Sequence, residues 1–169
     1  MALEIERKFL VLSRSSPLPE RAVPMCQGYL TTGEVTVRVR VAGERAFLTI
    51  KSDRIPPGRA VDPAFASATK AEFEYPIPAE DAADMLAISD FVILKTRYYY
   101  PEGFEHDVFG GTLTGLELIE FEGADPSLMP PIPSGVTVRE VTGDRRFSNA
   151  ALAKSGLPED IRRLLGLDR

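Results

Sequence analysis

LEIERKFL, residues 3–10, sets Glu4, Glu6 and Lys8 at every second position, with Leu3, Ile5 and Phe9 among the residues between them. Successive side chains of a β-strand point to opposite faces. The stretch therefore predicts a strand with one face acid, acid, base and the other largely apolar. A solvated edge strand could carry such a face by accident, whereas a site for a metal ion or a charged ligand would require it. The other strands decide between the two.

The same period returns along the chain. In EVTVRVRV (34–41) the valines alternate with Glu34, Thr36, Arg38 and Arg40, and in FLTIKS (47–52) Thr49 and Lys51 oppose Leu48 and Ile50. Glu72 and Glu74 oppose Phe73 and Tyr75 in AEFEYPI (71–77), Lys95 and Arg97 share a face of ILKTRYY (93–99), and Glu120 and Glu122 oppose Ile119 and Phe121 in LIEFEG (118–123). Taken singly, each pair reads as the wet face of an antiparallel sheet. Taken together they do not, because like charges repeated at i and i+2 cost energy unless an opposite charge or a ligand compensates them. Apolar alternation predicts strands near residues 2–12, 24–32, 35–42, 45–52, 71–77, 91–100, 104–109 and 115–122. Eight antiparallel strands curled into a closed or nearly closed barrel would gather these faces around an interior. That interior is too charged for a dry core. It reads as a water-filled tunnel, with acidic walls for hard divalent cations and basic walls for phosphate oxygens.

Composition frames this reading. The chain of 169 residues predicts one domain, 1–169, with a core large enough to need no disulfide or structural zinc. Its single cysteine, Cys26, excludes an internal disulfide and a Cys-rich metal cluster. Lysine and arginine total 20 against 25 acidic residues, net −5, which disfavours nucleic acid and anionic membrane as partners. The acidic N-terminus has no signal-peptide pattern and no apolar run spans a bilayer, so the expected location is the cytoplasm. Pro78 with Glu80 and Asp81 predicts a short helix to about Ala87; Asn149–Ser155 predicts another, stopped by Gly156, and Pro158 starts a last one. The fold class is α+β, a barrel with a few flanking helices. Segment 53–70, rich in Pro and small residues, is read as a long mobile loop, either a lid or disordered.

EIERKFLV, TVRVR, LTIKS, EFEYPI, LKTRYYY, DVF and IEFE, in this order from residue 3 to about 153, resemble the CYTH superfamily of triphosphate tunnel metalloenzymes, and especially its short bacterial inorganic triphosphatases. The opening motif alone is moderately specific; the ordered series of charged strands is far more so. The resemblance implies an eight-stranded antiparallel tunnel that hydrolyses tripolyphosphate with Mg²⁺ or Mn²⁺. It implies that Glu4, Glu6, Glu120 and Glu122 form the metal-binding wall, with Asp107 a further ligand or a group behind the ligands. Lys8, Arg38, Arg40, Lys51, Lys95, Arg97 and Arg145 would grip the phosphates, and Glu72 and Glu74 would orient those cations or neighbour a second metal. Glu6 or Glu122 would lie near the attacking water, with Lys8 beside the reacting group. One departure stands out: the family often shows a D-K-R-Y type segment, where this chain has Asp144, Arg145, Arg146 and Phe147.

Other features are read as bland. His106 lies on the face opposite Asp107 and reads as a surface or packing residue; Cys26 reads as a buried small hydrophobe, and Glu117 falls outside the site. Tyr98, Tyr99 and Tyr100 could stack on a base but read as cover for a core edge. Rival readings are adenylate cyclase or thiamine triphosphatase on the same fold, which need a surface for an organic ring, and a non-catalytic polyphosphate or nucleotide binder. A chain without tryptophan offers little to the first; two acidic pairs are superfluous to the second.

Overall fold

The computed structural model describes residues 5–52, 54, 71–123 and 131–167. Glu4, and the expected loop 53–70 apart from Arg54, lie outside the described residues. Every ladder is antiparallel, and the described strands number nine, not the eight that periodicity suggested. The chain groups into two compact units, residues 25–92 and residues 5–24 with 93 onward.

In the first unit, strands β2 (Ala22–Thr31, from Met25), β3 (Val35–Ala42), β4 (Arg45–Ser52) and β5 (Ala71–Pro76) lie in the order β5-β4-β3-β2. The β3–β4 hairpin closes on the pair Ala42↔Arg45, with Gly43 at φ 58°, a conformation glycine adopts without a Cβ penalty. Helix α1 (Ala79–Ala87) follows Pro78 and carries Glu80 and Asp81 in its first turn, as the macrodipole favours. Its Ala82, Met85 and Leu86, at i, i+3 and i+4, pack on Val39, Val41 and Ala46. The valines of β3 are thus partly claimed by a helix, and Arg38 and Arg40 take the opposite face.

In the second unit, β6 (Phe91–Tyr99, from Ile93), β7 (Phe104–Phe109), β8 (Glu117–Gly123), β1 (Ile5–Arg14) and β9 (Val136–Glu140) follow in that order. One apolar cluster joins Leu10, Ile93, Phe109 and Leu118 to Phe147, Leu152 and Ile161. The last three come from a 3-10 turn at Arg145–Phe147 and from helices α2 (Asn149–Ser155) and α3 (Glu159–Leu164). Ser148 caps α2 by accepting from the Ala151 N–H, and Gly156 ends it. A second cluster, with Phe9, Val11, Phe104 and Ile119, takes Phe121, Val136 and Val138 on the other face of the sheet. Among the described residues no helix is long and apolar enough to cross a membrane.

Candidate functional site

The alternation that puts Leu10 and Leu118 into the helix-covered cluster puts Lys8 and Glu120 next along the same face, and Glu6 and Glu122 beyond them. β6 and β7 add Lys95, Arg97, Asp107 and Glu105, with Arg97 opposite Asp107 and Glu105 opposite Glu120. Side-chain exposure falls from 40% at Glu6 to 14% at Lys8, 6% at Glu120 and 0% at Asp107. Charge is therefore carried down to an apolar floor, where only mutual pairing makes it tolerable.

The pairing is dense. Lys8 Nζ lies 2.8 Å from Glu6 Oε1 and 3.0 Å from Glu120 Oε1, and donates to the Phe147 carbonyl at 3.4 Å. Arg97 grips Asp107 with two parallel bonds of 2.7 Å, reaches Glu120 Oε2 at 2.8 Å and pairs with Glu105. Lys95 pairs with Asp107. Burial opposes each of these charges. It drives Lys95 below the ordinary lysine range, against the pull of Asp107. For Lys8 burial is outweighed by Glu120 and Glu6, and its value rises. Asp107, despite its burial, is held at about 2 by Lys95 and by the Arg97 bonds, so it is the ionised anchor of the cluster. Glu120 is lowered too, with burial opposed by Lys8 and Lys95, whereas Glu105 is raised because burial exceeds the pull of Arg97.

In the first unit, Arg38 and Arg40 on β3 share a face with Thr49 and Lys51 on β4 and Glu72 and Glu74 on β5. Arg40 donates to both Glu74 oxygens at 3.2 and 3.0 Å. Arg38 donates to Thr49 Oγ1 at 3.2 Å and lies 3.6 Å from Glu74, while Lys51 lies 2.9 Å from Glu72. The middle acids thus orient the cations of their own unit. Buried Thr49 donates to Glu74 at 2.9 Å, and the sequence reading assigned it no role. Glu105 was also missed, although its i, i+2 spacing from Asp107 is the signal used elsewhere.

Arg145 is exposed on its 3-10 turn, beside Arg146, which is tied to Asp144 and Asp160. Phe147 is fully buried in the helix-covered cluster, so the ring that replaces tyrosine is a packing group. His106 does lie on the face opposite Asp107. It is fully buried rather than at the surface, with Nε2 2.8 Å from Glu117, and Arg14 holds the same carboxylate at 3.1 and 3.2 Å. The Tyr100 ring stacks on His106, and the Arg21 guanidinium covers Tyr99 at 4.4 Å. Two of the three tyrosines are thus engaged by the protein. Cys26 is half-buried rather than buried.

A hard divalent cation needs oxygen donors, and the acids of the second unit supply only those. Glu6 and Glu122 are direct cross-strand partners, an arrangement of like charges that a cation would relieve. Among the described residues no three acidic, histidine or cysteine side chains are grouped as a ready-made cage, and Lys8 shares the Glu6 carboxylate. The donor chemistry fits such an ion at the exposed end of the face.

A charged face of this kind, running over antiparallel strands onto an apolar floor, defines a class of β-proteins that pair carboxylates with cations along one face. The CYTH domain family matches residues 2–128, and the chain belongs to it. It is 37% identical over 167 residues to an inorganic triphosphatase of Nitrosomonas europaea, covering 90% of this chain and 97% of that one. It is 34% identical over 161 residues to an inorganic triphosphatase of Acetivibrio thermocellus, covering 92% and 96%. The crystal structure of an inorganic triphosphatase superposes with a TM-score of 0.65 at 34% identity, covering 94% of this chain and 99% of that one.

Proposed function

We propose that this chain, as a single functional domain with a tunnel-like charged interior, hydrolyses linear inorganic triphosphate to pyrophosphate and orthophosphate. One observation carries the reading: buried Lys95 and half-buried Lys8 and Arg97 are interleaved with Glu6, Glu105, Asp107 and Glu120 on a single face. A packed core would not hold these charges, and a simple anion binder would not need the acids. Relatives named inorganic triphosphatase, similar over nearly their full length, support it.

Phosphoryl transfer asks for positioning and for neutralisation of charge on the transferring group. Arg38, Arg40, Lys51, Lys95, Arg97 and Arg145 bind phosphate oxygens, arginine by its planar fork and lysine as a compact charge. Lys8 donates to an oxygen of the phosphoryl group under attack. Asp107, held by Lys95 and Arg97, positions those two cations. Glu72 and Glu74 do the same for Lys51, Arg38 and Arg40. Glu6, Glu120 and Glu122, with Glu4, would hold a divalent cation of the Mg²⁺ or Mn²⁺ kind, which when bound neutralises phosphate oxygens and acidifies water in its coordination shell. Glu6 or Glu122 accepts the proton of the attacking water as the oxygen adds to the terminal phosphorus. The bond to the bridging oxygen breaks, and pyrophosphate leaves with the electron pair.

The Arg21 guanidinium over Tyr99 and the His106 ring on Tyr100 already occupy those two tyrosines, which weakens their candidacy as a platform for a purine or a thiazole–pyrimidine. Phosphate release from tripolyphosphate, pyrophosphate, ATP and thiamine triphosphate tests the reading. Tripolyphosphate should give the highest kcat/KM, ATP should be slower, and pyrophosphate nearly inert. A preference for ATP with cyclic AMP among the products, or for thiamine triphosphate, would overturn it.

A further inference from the structure

The first unit holds a buried polar group that the pairing described above does not use. Gln27 is 1% exposed, and its side-chain Nε2 has no hydrogen-bond partner among the described residues. It sits on β2 directly opposite Arg40, with Tyr29 opposite Arg38 two residues along. Cross-strand partners share a face, so the amide stands on the same face as both arginines. Arg38 Nε is a second buried donor without a partner there among the described residues. Leaving a buried donor unpaired costs free energy, and an aliphatic side chain of similar size would fill the position without that cost. Two unpaired donors on one cationic face have the chemistry of an acceptor site for an anion's oxygens. A neutral amide adds a donor there without adding a third positive charge beside Arg38 and Arg40.

We propose that Gln27 is a substrate-binding residue whose side-chain N–H donates to an oxygen of the phosphate group held by Arg38 and Arg40. The proposal rests on the triphosphatase reading, and it assigns a role to a residue that carries no charge and belongs to none of the paired-charge motifs. The bland account is that an ordered water completes the amide's bonding. The two accounts differ in what an apolar replacement does.

The test uses the full chain and Gln27→Met and Gln27→Glu. If the amide serves substrate, Gln27→Met melts at or above the temperature of the parent, while its KM for tripolyphosphate and its tripolyphosphate dissociation constant, measured calorimetrically without divalent metal, both rise about tenfold or more. Gln27→Glu is isosteric and brings a carboxylate to Arg40, so its affinity should fall further. In the parent, the ¹⁵N-labelled side-chain amide signal of Gln27 should move when tripolyphosphate is titrated in, a readout that depends on no variant folding. Parent-like KM and affinity in Gln27→Met, or an amide signal that ignores tripolyphosphate while the parent hydrolyses it, would overturn the assignment. A parent that neither binds nor hydrolyses tripolyphosphate would instead refute the triphosphatase reading, and this inference with it.

Discussion

Asp107 shows how far one residue can be read from sequence. Its place in the site came from the family resemblance, which suggested a ligand or a group behind the ligands. Sequence could not reveal that both of its oxygens are taken by Lys95 and Arg97 at zero exposure, because contacts between β6 and β7 depend on register. Asp107→Asn keeps the shape and leaves buried Lys95 and half-buried Arg97 short of a counter-charge. It should cost about 3–5 kcal/mol of folding stability, read by urea unfolding; a loss below about 1 kcal/mol would mean that Lys95 is accommodated some other way. Arg38→Ala answers a different question, because that side chain meets Glu74 and Thr49 and is a proposed phosphate ligand. If it holds a desolvated phosphate, kcat/KM for tripolyphosphate should drop by at least about thirtyfold, the lower end of roughly 2–5 kcal/mol. Parent-like kinetics would place Arg38 outside the substrate's reach.

Elements were legible where their pattern was long. Eight strands and three helices lie close to where periodicity and capping residues put them. The ninth, β9, was missed because VTVRE is only five residues and follows the proline-rich stretch 130–134, which signals a turn. Its Val136 and Val138 nevertheless alternate as in every other strand, and both join the cluster around Phe9. Close approach between elements was less visible still. A Cβ on Gly28 would come within 2.2 Å of Ser89 Oγ and 3.0 Å of Leu86 Cδ2, at the end of α1. Gly28→Ala should therefore push that end off β2 and cost about 1–3 kcal/mol; a melting temperature equal to the parent's would show that the contact yields freely. On the other face of the sheet, β7 and β8 are tied by His106 and Glu117. The His106 bond, with burial opposing it and Arg14 assisting, holds Glu117 at about 2, below its ordinary 4.5. A depressed carboxylate stabilises the fold fully above its unfolded value and loses that contribution as pH falls from about 4.5 towards 2. Glu117→Gln should remove roughly 1–2 kcal/mol at neutral pH, after allowance for solvent screening, and should flatten the acid limb of the stability curve. An unchanged acid limb would count against the tie.

At the scale of the whole molecule, activity should require a divalent cation, and excess chelator should abolish tripolyphosphate hydrolysis while leaving the circular dichroism spectrum unchanged. Full turnover in chelator would refute the assignment of Glu6, Glu120 and Glu122. The overall charge of −5 said only that any anion must be caught locally; the local arrangement says how. Lys8, Lys95 and Arg97 already hold carboxylates. On the proposed function, an incoming phosphate chain would have to enter by partner exchange, displacing Glu6 or Glu120 from Lys8, and each displaced carboxylate would become an oxygen donor. A cation taking up those oxygens would release the lysine in turn. Uptake of the anion and of the cation should then be reciprocal, each tightening the other by the same factor. Calorimetric titration of tripolyphosphate into Glu6→Gln and the parent, with and without Mg²⁺, reads this directly. The parent should show a large gain from Mg²⁺, and in the variant that gain should shrink because one of the two exchangeable partners of Lys8 is gone. In such a protein the resting ion pairs would act as occupants that hold the seats of both ligands until the two arrive together.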